Sequence, residues 1–359
     1  MAELKLLKVE RSPSEEILNI LTNNIIGTPG HGMLYQHMGV HDKIHKIQAP
    51  YYINLSKGNK VIGTCCFCSR IITNAGEAIR SFYVRYFSFR NSYRRKNINP
   101  RQSAGSSVVR EEVKSVLNGQ SLDVKPQEKF FHYAYVDPRN LRSVMLCDQF
   151  GFETVREYTT VIFNRIKPVE DVEKKVAEVS PSEITEIKQL LSGFYHDFNM
   201  FSFDNLFNGA KYYIIRSAEG KIVAGAQANP DRWTISSLPG FSGKIILNTF
   251  SHLPFLNRLF NKDYRFLTLE GIYCAAGYEH YLESLFESLL ARYNLNSAIT
   301  VVDADTPLYK TLRSLKLGWV DKLNKEVRGN VICKFINFSA AEKALFKKHP
   351  AYISGIDVT

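Results

Sequence analysis

A run of basic side chains in the first half of the sequence is the feature most able to do chemistry. Seven lysines and arginines occur between Ala78 and Val109, and no acidic residue interrupts them. They are Arg80, Arg85, Arg90, Arg94, Arg95, Lys96 and Arg101. Ahead of a helix start, such a run could bind phosphate groups. A solvated basic face and a nucleic-acid surface with interleaved tyrosines are the alternatives.

Three histidines recur at a spacing that would suit a metal if one helix carried them. His37, His41 and His45 lie four residues apart, so they would share a helical face and could bind Zn²⁺ or Ni²⁺. Gly39 and Pro50 weaken that helix. We therefore expect a polar loop here and no metal.

The cysteines do not form a disulfide framework. Three are clustered and three are scattered singly, at Cys65, Cys66, Cys68, Cys147, Cys274 and Cys333. On a strand, Cys66 and Cys68 would face one side and Cys65 the other, which is poor metal geometry. Buried reduced thiols in a cytoplasmic protein are the prediction.

Length and composition predict a globular chain with two domains. The sequence has 359 residues, of which 45% are hydrophobic and 23% charged. Its formal net charge of +11 favours anionic ligands without selecting one. No apolar run is long enough to span a bilayer, and the start does not resemble a secretory signal. We expect a cytoplasmic protein that makes no membrane contact.

The order of predicted elements is similar in the two halves of the chain. The first half reads as a helix near 14–21, strands over 51–55, 61–72 and 79–89, a helix over 106–117, a strand over 130–136, a helix over 140–150 and a closing strand pair over 154–163. The second half reads as a strand over 176–179, a helix over 182–191, a hairpin over 211–228, a strand over 266–271, a helix over 279–292, a strand over 298–302, a helix over 307–317 and a final hairpin over 319–335. The second half also has a helical insertion over 243–260. Domains over 1–167 and 168–359 follow, because residues 167–171 read as a linker.

Two stretches of the first half resemble the GNAT superfamily of acyl-CoA-dependent N-acyltransferases. The segment from Phe87 to Asn99 is similar to the end of the family's central strand and the phosphate turn that follows it. The segment from Val136 to Phe152 is similar to the family's Asn-x-x-Ala…Tyr-x-x-x-Gly-Phe stretch. The resemblance implies an α/β fold of two tandem GNAT-like domains, each a mixed, mostly antiparallel sheet flanked by helices.

The resemblance also implies a binding site for acetyl-CoA or another acyl-CoA as cosubstrate. The residues that match the family's cofactor-binding positions are Phe87, Phe89, Tyr93, Arg94, Arg95, Lys96, Asn97, Asn99, Gly105 and Asn140. Arg95, Asn97 and Asn99 stand where the family usually has glycine. The turn from Glu270 to Glu279 is a second candidate for the phosphates, and the first half is favoured.

The family's reaction is direct attack of an amine on a thioester, which implies an acid and a base. Cys147 stands where many relatives have a tyrosine that acts as the general acid. The alternative is that Cys147 is a small apolar side chain that fills space in the core. His132 and Glu270 are the candidate bases, although a histidine on a strand is more often a core residue.

The predicted function is therefore N-acetylation of a primary amine on a small molecule or a peptide. One alternative is a degenerate, non-catalytic module that binds CoA or another ligand. The second is a tRNA-dependent aminoacyl transferase, which the positive charge would allow. The sequence gives no oligomeric state.

Overall fold

A computed structural model of the chain describes residues 4–74, 76–90, 107–240, 243, 256–259, 261–323 and 328–358. The described strands are β1 (Leu7–Glu10), β2 (Leu34–His37), β3 (Pro50–Lys57), β4 (Lys60–Asn74), β5 (Glu77–Phe89), β6 (Phe130–Val136), β7 (Glu153–Asn164), β8 (Val176–Glu178), β9 (Lys211–Arg216), β10 (Ile222–Ser237), β11 (Asp263–Cys274), β12 (Ser297–Asp303) and β13 (Arg328–Ile336). The described α-helices are α1 (Glu15–Thr22), α2 (Val40–Lys46), α3 (Ser107–Leu117), α4 (Leu141–Gln149), α5 (Ile184–Phe194), α6 (His280–Arg292), α7 (Pro307–Ser314), α8 (Trp319–Leu323), α9 (Ala340–Lys348) and α10 (Gly355–Val358). The α/β class is as predicted.

One continuous sheet runs through both halves. Its order is β1-β3-β4-β5-β6-β13-β7-β12-β11-β10-β9-β8, and β2 pairs with β10 away from this path. Neighbouring strands are antiparallel except at β5–β6 and β11–β12. Each half therefore contains an antiparallel meander followed by one parallel pair, which is the repeated order that the sequence predicts.

The two halves exchange their last strands at the centre of the sheet. β13 of the second half lies between β6 and β7 of the first half, and β7 continues across to pair with β12. Residues 154–163 were expected to form a strand pair, and they belong instead to the single long strand β7. The domain boundary at residue 167 stays a prediction, because the shared sheet gives it no break.

The final hairpin predicted over 319–335 is wrong. Trp319–Leu323 is the helix α8, and only Arg328–Ile336 is a strand. The short apolar run of Val331, Ile332 and Cys333 suits a buried strand in either arrangement. Insertion between β6 and β7 satisfies both of its hydrogen-bonding edges, whereas a hairpin would satisfy only one. The helical insertion predicted over 243–260 lies mostly outside the described residues.

Local sequence signals at two helix starts and at the clustered cysteines agree with the structure. Ser14 caps α1 by accepting from the Ile17 N–H, and Ser180 with Glu183 forms a capping box before α5. The thiols of Cys66 and Cys68 face one side of β4 and pack in the core beneath α1 and α2, and Cys65 packs on the other side. None of the described helices is long and apolar enough to cross a membrane.

The three histidines do not share a helix. His37 ends β2, whereas His41 and His45 lie on α2 with their ring centroids 4.6 Å apart. No group of three metal-ligating residues occurs among the residues that the structure describes. The polar loop expected here is wrong for residues 40–46, which form α2, and a metal site on one helical face is not formed because His37 lies on β2.

Candidate functional site

The parallel strands β5 and β6 of the first half stop pairing part-way along, and we call the place where they separate the first-half fork. β5 and β6 are paired from Arg80↔Phe130 to Tyr83↔Tyr133 and not beyond, although β5 continues to Phe89. In the second half, β11 and β12 pair only at Leu267↔Ala298 and Thr268↔Ile299. Both forks open at the carboxyl ends of parallel strands, the usual place for ligands in such sheets.

A β-bulge sits at the mouth of the first-half fork. Arg85 of β5 pairs with Cys66 of β4, and the next pair is Ser88 with Thr64. β5 therefore advances three residues where β4 advances two. Tyr86 lies inside this bulge with φ +58°, the left-handed region that a bulky residue rarely adopts. A bulge leaves one residue outside the ladder. At this point the backbone of β5 leaves its regular pairing with β4, beyond the place where β5 and β6 stop pairing.

A buried ion-pair network occupies the base of the first-half fork. Arg70 on β4 makes a two-point contact with Asp357 of α10, with Nη2 2.9 Å from Oδ1. Arg70 also donates to the Tyr133 hydroxyl at 3.0 Å, and the Tyr83 hydroxyl donates to the Asp357 carbonyl oxygen at 2.7 Å. The Asp357 side chain is fully buried and that of Arg70 is 8% exposed. The C-terminal helix α10 is thereby fixed beside the last paired residues of β5 and β6.

Two carboxylates flank Arg70, and their pKa values move in opposite directions. Burial opposes ionisation of Asp357, but the charges of Arg70 and Arg85 hold its pKa below the usual range. Burial raises the pKa of Asp204, and the negative Asp357 raises it further. One of the two carboxylates is therefore a fixed anion, and the other is a stronger base than an ordinary aspartate.

Arg85 joins this network to the bulge. Its Nη1 is 3.6 Å from Asp357 Oδ1, and its guanidinium lies 4.2 Å from the centre of the Tyr86 ring. Its Nε, the Tyr86 hydroxyl and the Ser88 hydroxyl are buried without a hydrogen-bond partner in the part of the chain described. Polar groups left in this state usually face a ligand or water.

A second cluster of charged side chains lies where β2 of the first half pairs with β10 of the second half. Asp231 of β10 accepts from Lys43 at 2.8 Å and from His37 at 3.0 Å. The Gly39 N–H donates to His37 Nδ1, and His37 Nε2 lies 2.8 Å from Lys43 Nζ and 3.2 Å from Asp231 Oδ2. Burial raises the pKa of Asp231, but His37 and Lys43 outweigh it and bring the value to about 2. Burial lowers the pKa of Lys43.

The predicted acid and bases lie in three separate places. Cys147 is half-buried on α4, and burial raises its pKa to about 11. His132 is fully buried, stacks on Phe82 and contacts the Leu117 carbonyl, and burial lowers its pKa to about 3. That environment is the core alternative considered from the sequence and does not favour a base. Their catalytic roles stay predictions.

Glu270 is the predicted base with the most perturbed environment. Burial raises its pKa to about 7, and it accepts from the Tyr352 hydroxyl at 2.5 Å and from the Ile356 N–H at 3.3 Å. It borders an interior cavity of about 20 Å³ in the second-half fork, room for about one water. The C-terminal segment seals this carboxyl from solvent, so any part in catalysis stays a prediction.

Three of the predicted cofactor-binding residues are described. Phe87 is 54% exposed with its ring 5.2 Å from that of Phe89 at the end of β5, and Asn140 caps α4 by accepting from the Ser143 N–H. The other seven lie outside the described residues: Tyr93, Arg94, Arg95, Lys96, Asn97, Asn99 and Gly105.

The described arginines of the basic run form ion pairs with acidic residues of the fold. Arg80 pairs with Glu128 and Arg90 with Glu16, each at 2.6 Å. Together with Arg85 on Asp357, these contacts engage every described arginine of the run. The alternative of one continuous solvated basic face therefore does not hold for this part of the run.

The second-half turn carries a carboxylate where a phosphate would bind. Glu279, just before α6, accepts the Gly277 N–H at 3.0 Å. The turn borders an open groove of about 700 Å³ lined by Leu190, Phe194, Tyr273 and Leu308. Because a negative group already satisfies this amide, the groove suits an apolar or cationic ligand better than a diphosphate.

Sequence reasoning missed Arg70, Asp204, Asp231 and Asp357. Arg70 and Asp357 are 287 positions apart, so no local spacing connects them. The one available signal was Asp357 itself, a single acid in the otherwise uncharged C-terminal stretch from Ala351 to Val358. A lone charge in an apolar segment is expected to be paired when that segment is buried.

Comparison with known proteins supports the fold. No protein-family model matches the chain, and no curated protein sequence matches it. Saccharomyces cerevisiae N-myristoyltransferase with bound myristoyl-CoA has a TM-score of 0.59 at 11% identity, over 95% of this chain and 85% of that one. The same enzyme with myristoyl-CoA and inhibitors gives 0.57 at 12% identity, over 95% and 82% of the two chains.

A bacterial structure is similar over almost the same span. A probable N-acyltransferase of unknown function from Enterococcus faecalis has a TM-score of 0.50 at 12% identity, over 93% of this chain and 73% of that one. At these identities the likeness shows the fold alone. The chain has the tandem GNAT-like fold that the sequence predicts.

Proposed function

We propose, on the basis of the GNAT-like N-acyltransferase fold of this chain, that it transfers an acyl group from acyl-CoA to a primary amine at the first-half fork. The observation that carries the proposal is the bulge at Tyr86, directly beside the point where β5 and β6 separate. A bulge amide aimed into the fork would bind the oxygen of the thioester and stabilise the oxyanion formed on attack.

The fork has the chemistry to receive such a substrate. Arg85 Nε and the Tyr86 and Ser88 hydroxyls lack partners within the described chain, and all three can donate a hydrogen bond. The thioester and amide oxygens of an acyl-pantetheine arm would supply acceptors. The donors therefore fit the ligand that the fold implies.

The first half is the better site for the phosphates. The second-half turn already holds the Glu279 carboxylate against its Gly277 amide, and this charge would repel a diphosphate. The predicted phosphate contacts from Arg94, Arg95 and Lys96 follow β5 directly in the sequence. They remain part of the proposal.

The length of the acyl chain is the first variable to test. Apolar side chains are exposed on the elements that flank the first-half fork, at Phe87, Val108, Leu141 and Met145. A donor with a chain longer than acetyl would cover more of this surface, which favours binding. The structurally similar N-myristoyltransferase was solved with myristoyl-CoA. Acetyl-CoA remains the donor predicted from the sequence.

Calorimetry followed by turnover tests the proposal. Acetyl-CoA, myristoyl-CoA and desulfo-CoA would be titrated first, and release of free CoA thiol would then be followed with glycinamide, a glycine-initiated octapeptide and spermidine. Binding with turnover is the expected result. Binding without turnover would favour the non-catalytic module, and salt-sensitive tRNA binding without CoA binding would favour the tRNA-dependent enzyme.

A pair of matched variants locates the site. Met145→Glu places a negative charge on the exposed side of α4, within the apolar surface proposed for the acyl chain, and should weaken myristoyl-CoA binding at least about tenfold. Thr311→Glu places the same charge in the second-half groove and should leave the affinity unchanged. The reverse pattern would move the site to the second half.

A further inference from the structure

The loop between α5 and β9 reaches from the second half to β4, near the ion-pair network at the base of the first-half fork. The Thr73 N–H of β4 donates to the Phe201 carbonyl at 2.9 Å. On the other side, the Asn199 N–H donates to the Pro350 carbonyl at 2.7 Å, and its side chain caps the Leu345 and His349 carbonyls at 3.1 Å. The loop is therefore fixed between β4 and the C-terminal segment.

This loop presents Asp204 at the fork. Asp204 Oδ2 lies 3.6 Å from Arg70 Nε, and its side chain is 33% exposed. Oδ2 itself is buried and accepts no hydrogen bond from any residue that the structure describes. A carboxylate oxygen without a donor is an incomplete arrangement, and a ligand with an N–H donor would complete it.

Asp204 and Asp357 differ in the groups that surround their carboxylates. Arg70 of β4 and Asp357 of α10 are the charged groups that face it, and Ser202 is its polar neighbour within the loop. Asp357 accepts from Arg70 on both oxygens and from Asn205 at 3.0 Å, so it has no oxygen without a donor. Asp204 has one, and burial together with Asp357 raises its pKa.

We propose that Asp204 binds the ammonium group of the acceptor and removes its proton, so that a loop of the second half completes the reaction centre of the first. The inference rests on the proposed function. An N–H bond of the ammonium breaks and an Oδ2–H bond forms. The nitrogen lone pair then attacks the thioester carbon, the carbon–sulfur bond breaks, and the CoA thiolate accepts the second proton lost by the nitrogen.

Two nucleophiles that differ in protonation test this role. Glycinamide is largely an ammonium at neutral pH and needs a base, whereas hydroxylamine is already unprotonated. Asp204→Asn should lower kcat/KM for glycinamide by about 10²-fold or more, the usual contribution of a general base. Hydroxylamine should be acylated at a nearly unchanged rate. Asp197→Asn, on the same loop with its side chain 83% exposed and paired only with the exposed His196, is the matched control and should change neither rate.

The remaining outcomes distinguish a failure of the Asp204 inference from a failure of the proposed function. Equal loss with both nucleophiles would make Asp204 a structural residue, and no loss with either would exclude it as the base; both results overturn the inference. If the Asn variant does not fold, Asp204→Ala is tested for the same contrast, and Asp204→Glu should restore part of the glycinamide rate. Failure of the wild-type chain to bind acyl-CoA or to acylate either nucleophile would instead refute the proposed function.

Discussion

Tyr86 and Gly271 occupy equivalent positions in the two halves and have the same unusual backbone conformation. Each lies in a bulge of the third meander strand, next to a parallel fork, with φ +58° and +56°. Glycine adopts this conformation without strain, whereas tyrosine pays about 1–2 kcal/mol for it. Local strain of this kind concentrates at functional sites. The bulge of the first half therefore carries backbone strain at Tyr86 that the bulge of the second half does not, which agrees with the reaction centre proposed in the first half.

The second-half bulge should tolerate no side chain. A Cβ on Gly271 would lie 2.8 Å from Leu206 Cδ2, in addition to the left-handed φ. Gly271→Ala should lower the free energy of unfolding by about 2–4 kcal/mol, the sum of the backbone strain and local overpacking. Urea denaturation would measure this loss.

Gly220 provides the matched control for that variant. It has φ +81° in the β9–β10 turn, and a Cβ there would meet no atom within 4 Å. Gly220→Ala should therefore cost only the strain, about 1–2 kcal/mol. Equal losses at the two positions would contradict the packing argument at Leu206.

The Arg70–Asp357 pair should be essential for stability. Asp357→Asn removes the only buried anion described beside Arg85 and leaves Arg70 with Asp204 alone, and breaking such a buried pair typically costs about 3–5 kcal/mol. Glu157→Gln, which breaks the half-exposed pair with Arg328, should cost less than about 1 kcal/mol. Denaturant midpoints of the two variants test this, and a small loss at Asp357 would mean that the network is not needed for folding.

The pH dependence of this pair follows from the lowered pKa of Asp357. A carboxyl whose folded pKa is below its unfolded value of about 3.9 contributes stability above that value. This stability is lost as the pH falls through the folded pKa. The difference in stability between wild type and Asp357→Asn should therefore be constant near neutral pH and shrink below about pH 4.

The elements were predictable where local signals agree. The caps at Ser14 and Ser180, the short turn at Gly220 and the alternation of Cys65 against Cys66 all lead to the observed structure. Each of these signals lies within a few residues, and nothing distant competes with it.

The strand exchange and the ion-pair network were not predictable. The apolar run in β13 suits a hairpin with its neighbours or an insertion between β6 and β7, and only tertiary packing decides between them. Arg70, Asp204 and Asp357 come from three distant segments, so their meeting depends on the loop after α5 and the C-terminal helix docking together. The cluster at His37 and Asp231 depends likewise on β2 crossing to β10.

Glu270 should make the fold less stable as the pH rises. Its pKa is raised to about 7, above the unfolded value, so its stabilising contribution is present at low pH and lost as the pH rises through 7. Between about pH 5 and pH 9 the loss should amount to about 2–3 kcal/mol. Glu270→Gln, which stays neutral, should remove most of this slope in thermal melts recorded across the range. A slope that is unchanged in the variant would assign the titration to another group.

The phosphate contacts predicted from the sequence can be tested directly by affinity. Arg94 and Lys96 follow β5, and each charge-assisted contact with a phosphate is worth about 1.5–3 kcal/mol. Arg94→Ala combined with Lys96→Ala should therefore weaken acyl-CoA binding at least about tenfold in calorimetry. Lys57→Ala with Lys60→Ala, at the β3–β4 turn, removes the same total charge and serves as the control. If both double variants lose affinity equally, the effect is the general positive charge of the protein; loss in the Arg94 and Lys96 variant alone locates the diphosphate after β5.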